Sequence, residues 1–131
     1  LTLNADGEID AIDLSGVPVQ DREIELIVRL AHLQSLNLNG TRATDSQIAE
    51  LSMLHELQSL NLSNTNVSNI ALAELRGLTQ LRSINLYNCR NITDVGMSHL
   101  AEFGQLQELE LSGTNTSDIG FRALPRVNQL T

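Results

Sequence analysis

Few residues in this chain could do chemistry, and their spacing limits what that chemistry is. Catalysis needs a nucleophile, or a matched acid and base, within reach of one another. His32, His55 and His99 fall at three different points of the repeating pattern described below, outside the expected strands. Cys89 occupies a position otherwise held by Thr or Val, and it reads as a small buried residue rather than a nucleophile. His32 and His55 share a loop level in neighbouring units. Two imidazoles with no third ligand make a poor metal site, so both read as surface residues. The expectation is a non-enzyme with no cofactor and no metal.

Two further signals concern binding and modification. Tyr87, with Arg82 and Arg90 near it in sequence, resembles an interface anchor, because Tyr and Arg are enriched at binding hot spots. Asn-x-Ser/Thr triplets begin at Asn61, Asn66, Asn91 and Asn115. They fit glycosylation acceptors, but Asn in turns and Ser or Thr at helix starts produce such triplets by coincidence, which is the preferred reading.

Composition narrows what can hold these residues. The 131 residues suit one domain, and 41% hydrophobic content excludes wholesale disorder. Twenty-four are Leu, against two Phe, one Tyr and no Trp, which points to regular, repeated packing. The charge is −8, and all eight bases are Arg. A net-negative chain with scattered Arg is a poor match for a phosphate backbone, so no nucleic-acid partner is expected. No apolar run approaches a membrane span, and no membrane partner is expected. The start, LTLNADGEID, lacks a signal peptide's basic and apolar segments, although without an initiator Met such a segment could have been removed. A single Cys supports no disulfide framework, which leans towards a reducing, cytoplasmic compartment without fixing it.

The positioning elements come from a repeat. LxxLxL, with Ile allowed, begins at Ile9, Leu33, Leu57, Leu81 and Leu106, so the starts are 24, 24, 24 and 25 residues apart. Leu130 opens a sixth, partial unit. Each unit continues with Val17, Thr41, Thr65, Cys89 or Thr114 at its ninth position. Next comes an apolar i, i+3, i+6 pattern such as Ile48-Leu51-Leu54. Alternation followed by that pattern predicts a short strand and then a short helix. Thr44-Asp45, Ser68-Asn69, Thr93-Asp94 and Ser117-Asp118 mark helix starts, and Thr44 with Gln47 fits a capping box. Asp21 is expected to cap the first helix.

The segments NLNGTRATDSQIAELSMLHELQSL and YNCRNITDVGMSHLAEFGQLQEL resemble leucine-rich repeats, with a T-D-x-G-hydrophobic-x-x-L convex segment. They are similar to ribonuclease-inhibitor-like repeats, to the cysteine-containing variant of F-box proteins, and to bacterial 24-residue repeats. The resemblance covers about residues 9–131. It implies a right-handed α/β solenoid: a five-stranded parallel concave sheet, short convex helices, and residues 1–8 as an N-terminal hairpin cap. It also implies a protein-interaction module, with a structural spacer or scaffold as the alternative. A third reading, substrate recognition for a ubiquitin ligase, needs a separate F-box.

Strand positions 3, 5 and 7 should form the concave floor. Asn37, Asn61, Asn85, Glu108 and Glu110 lie on it with Tyr87, and these residues together with Arg82 and Arg90 are the candidate partner-binding set. A floor about 24 Å wide and about 10 Å high is too small for the roughly 800 Å² per partner of a stable interface. A protein partner would also need the loops after the strands. At the C-terminal end, Leu109, Leu111, Phe121, Leu124 and Val127 are expected to form an exposed apolar edge. This predicts continuation into further repeats or self-association through that end.

Overall fold

The computed structural model describes residues 1–124. Six strands form one sheet in chain order: β1 (Thr2–Leu3), β2 (Ile9–Asp13), β3 (Ser35–Asn37), β4 (Ser59–Asn61), β5 (Ser83–Asn85) and β6 (Glu108–Glu110). Strands β2 to β6 run parallel. Their register is set by the repeat, with Leu36 opposite Leu60 and Leu60 opposite Ile84. The N-terminal cap supplies the sixth strand as a hairpin: β1 pairs antiparallel with β2. The cap turn is closed by Asn4, whose N–H donates to the Glu8 carbonyl at 2.8 Å.

Five short helices alternate with the strands: α1 (Asp21–Ile27), α2 (Asp45–Glu50), α3 (Asn69–Glu74), α4 (Asp94–Leu100) and α5 (Asp118–Arg122). Single 3-10 turns at Leu51–Met53 and Leu75–Gly77 extend α2 and α3. None of these helices is long and apolar enough to cross a membrane.

The core is a leucine lattice between sheet and helices. Leu36, Leu60 and Ile84 on the strands meet Ile48, Leu51, Leu72 and Leu75 on the helix side, all essentially inaccessible. One unit has two apolar faces and no interior of its own, so burial comes only from its neighbours. The ninth position behaves as expected in the middle units. Thr41 and Thr65 are buried, and their hydroxyls donate to the Leu38 and Leu62 carbonyls at 2.8 and 2.6 Å. Cys89 substitutes a thiol, which lies 3.1 Å from the Leu62 carbonyl, and burial pushes its pKa up. Val17, the same position in the first unit, is exposed instead, since it has no preceding unit to lie against.

Two expectations about ends are corrected. Asp21 does not cap α1. Gln20 is the N-cap residue, and its N–H donates to the Glu23 carboxylate at 2.9 Å. At the other end, Leu109 and Leu111 are buried, Leu124 is half-buried, and only Phe121 is exposed. Val127 and Leu130 lie outside the described residues.

Candidate functional site

Where each strand ends, the chain turns through a left-handed residue. This position is Gly16, Gly40, Asn64, Asn88 and Gly113 in the successive units, with φ between 56° and 79°. Gly and Asn are the residues that tolerate this conformation at low cost. In the sequence the same signal stands as a Gly or Asn after each strand, fainter than the leucine period and missed beside it.

Just before the turn, the fifth strand position closes on its own backbone. The side-chain oxygens of Asp13, Asn37, Asn61, Asn85 and Glu110 each accept the N–H two residues on, at distances from 2.7 to 3.0 Å. These bonds hold the Asp13 and Glu110 carboxyls below the usual carboxylate range, each chiefly through Ser15 or Ser112 respectively. The asparagines of the candidate binding floor therefore have one oxygen committed to turn formation. Ser63, at the seventh position, is buried, and its hydroxyl donates to Asn39 and Asn61.

Beyond the strands, asparagines link one unit to the next. Asn64 Nδ2 donates to Asn39 Oδ1 at 2.8 Å, and Asn88 Nδ2 donates to Asn64 Oδ1 at 3.1 Å. The row ends at Arg90, whose Nε donates to Asn88 Oδ1 at 3.2 Å. This bond engages Nε and neither terminal nitrogen.

Tyr87 is 48% exposed at this level of the fold, and Arg82 and Arg90 are exposed. Arg82 does not flank Tyr87. It precedes β5 whereas Tyr87 follows it, and five residues of extended chain span about 16 Å. Of the three, Tyr87 and Arg90 share one end of the strand. Glu108 is exposed and Glu110 half-buried on β6, beside Ser83 and Asn85.

The histidines stay apart. His32 lies between two carboxylates, 3.5 Å from Glu8 and 3.3 Å from Glu56, while His99 is 3.9 Å from Glu102. Among the described residues no group of three or more His, Cys, Asp or Glu could hold a metal. Of the four Asn-x-Ser/Thr asparagines, Asn91 and Asn115 donate their amides to the Asn66 and Arg90 carbonyls. Asn61 accepts from Ser63, and Asn66 is exposed.

A second set of links runs along the helix starts. Asp45 accepts from the N–H and hydroxyl of Ser68, and Asp94 does the same with Ser117. Asn69 accepts from the Thr93 N–H at 3.0 Å and donates to its hydroxyl at 2.8 Å. Thr93 therefore commits its hydroxyl to Asn69 and makes no cap bond, unlike Ser68 and Ser117. In the next helix residue, Ile70, Val95 and Ile119 are exposed in three consecutive units.

Comparisons with known proteins agree with this architecture. No curated protein matches the sequence. An internalin from Listeria monocytogenes is similar in fold, with a TM-score of 0.57 and 18% identity, over 92% of this chain. This chain spans only 39% of that internalin's length. At that identity the likeness concerns the fold. Residues 55–102 match the model for Leucine Rich repeats in two copies, and that stretch carries repeats of that kind.

Proposed function

We propose that this chain is a non-catalytic protein-interaction module, built as one array with units starting at residues 9, 33, 57, 81 and 106. In this reading the array coils right-handedly, in the ribonuclease-inhibitor-like or bacterial manner, and the partner is a protein. One observation carries the proposal: Tyr87, a large amphipathic side chain left half in water at the end of a strand whose neighbours offer Asn and Ser on one side and Glu on the other. Such an aromatic gains most from burial against another chain.

The competing reading, a structural spacer, draws support from the committed asparagine oxygens, which serve the turns rather than a ligand. The two separate on a Tyr87→Ala/Glu108→Ala double variant, both residues standing on the floor. A partner recovered by affinity capture and then purified should bind the double variant at least about tenfold more weakly. Unchanged affinity removes the concave floor from the interface. We also assign a self-association surface to the C-terminal end, where Phe121 lines an open cavity of about 420 Å³ with Leu109 and Leu111.

A further inference from the structure

The acids of this chain are not evenly placed. From the end of each strand to the start of the following helix, no unit holds an Asp or Glu, although the chain has sixteen. Residues 14–20, 38–44, 62–68, 86–93 and 111–117 are all free of acids. Stacked in register, these segments form one rim along the solenoid. Two exposed arginines stand on it, Arg42 and Arg90.

Neither arginine has a carboxylate partner among the described residues. The nearest acids along the chain are already engaged: Asp45 holds Ser68, and Asp94 holds Ser117. Arg90 is held in place by the asparagine row through its Nε, which leaves the outer guanidinium edge for a second acceptor. Arg42 borders an open cavity of about 390 Å³ on the same rim, shared with Gly16, Pro18 and Gly40. At the two ends of the rim, Asp13 and Glu110 reach back to cap their own strands.

We propose that this rim is a docking surface for an acidic segment of a partner protein, with Arg42 and Arg90 each taking one carboxylate. The proposal rests on the interaction-module reading and narrows it, moving the polar contacts from the concave floor to the loops. Charge complementarity is the argument: two arginines without a carboxylate partner among the described residues, on a molecule of net charge −8. Spacing adds specificity. Arg42 and Arg90 belong to units whose strands are two apart, about 10 Å. In a polyproline-II segment, carboxylates at i and i+3 lie on one side about 9 Å apart. A nucleic-acid strand fits less well, because its evenly spaced phosphates would also fall over Asp13 and Glu110.

The test uses the full chain, isotope-labelled for NMR, and the peptide acetyl-Pro-Glu-Pro-Pro-Glu-Pro-amide. Saturable shifts at the backbone signals of Gly40, Arg42, Asn88 and Arg90 are expected. They should vanish with the glutamine counterpart of the peptide. An Arg42→Ala/Arg90→Ala variant should lose about tenfold or more in affinity, and the helix-side control Arg22→Ala/Arg76→Ala none. No shifts, shifts elsewhere, or equal shifts with the glutamine peptide overturn the proposal. So does an oligothymidylate that perturbs the rim when the peptide does not. A captured partner that is lost with Tyr87→Ala but kept by the Arg42→Ala/Arg90→Ala variant defeats this inference alone. A captured partner indifferent to both sets of changes defeats the interaction reading beneath it.

Discussion

Asp94 holds Ser117 twice, accepting its backbone N–H at 2.7 Å and its hydroxyl at 2.6 Å. Those bonds favour the ionised carboxylate, and they hold the Asp94 pKa below its ordinary value, the Ser117 hydroxyl contributing most. Asp13 and Glu110 are shifted the same way by their own turns. A carboxyl whose pKa is lower when folded contributes its full stabilisation above the unfolded value, near about 4. That contribution is lost as pH falls through the lower folded value. Thermal melts taken downward from about pH 6 should therefore show a falling melting temperature once the pH drops below about 4. Asp94→Asn should flatten that fall; an unchanged pH profile would show that the clamp adds nothing to stability.

Gly120 sits against the same clamp. A Cβ there would run into the Asp94 carboxylate and lie 2.9 Å from Met97 Cγ, whereas a Cβ at Gly77 would meet nothing within 4 Å. Gly120→Ala should destabilise by about 1–3 kcal/mol, as overpacking does. Gly77→Ala should stabilise by about 0.5 kcal/mol through the unfolded chain. Urea unfolding of both variants checks the opposite signs.

Leu60 is 1% exposed and Leu26 57%. Leu60→Ala should cost about 3 kcal/mol, with Leu26→Ala near zero. Leu60→Asp should unfold the array, because it buries a charge without a partner. Denaturation curves that rank Leu26→Ala as the costlier alanine variant would invert the assigned faces.

Cys89 is fully buried and occupies a threonine position. Its reaction with a thiol reagent should follow opening of the array, and should speed up with added urea. Cys89→Thr should change stability by less than about 1 kcal/mol, since a hydroxyl already serves there at Thr65. Fast labelling in native buffer would contradict the burial.

Phe121 is 44% exposed beside the C-terminal cavity. Light scattering over a concentration series should show association that Phe121→Glu removes. A strictly monomeric wild type would exclude self-association through this face.

Much of this was legible because the leucine period fixes strand, turn and helix in a single phase. The period tolerates a change of aliphatic type, since Leu60 and Ile84 occupy the same place in neighbouring units. What escaped were features set by hydrogen bonds rather than by hydrophobic period. The fifth-position Asn residues give no sign in the sequence that their oxygens also close the following turn. Tyr87 and Arg82 are close in sequence but stand at opposite ends of a strand. Val17 matched its column and is nonetheless exposed, because the first unit lacks the preceding unit that the others lean on.

The helix-start clamps are directional: Asp45 reaches forward to Ser68, Asn69 to Thr93, and Asp94 to Ser117. Each joint is a plug meeting a socket, and the sockets are alike. Excising residues 57–80 would bring Asp45 to Thr93, a partner of the same type, and Leu38 to the Asn85 carbonyl in place of that of Asn61. The array is thus modular in the sense of couplings on a train. A whole carriage can be removed or duplicated without refitting either neighbour, while a cut that removes part of a unit leaves the plug at that joint facing the wrong socket.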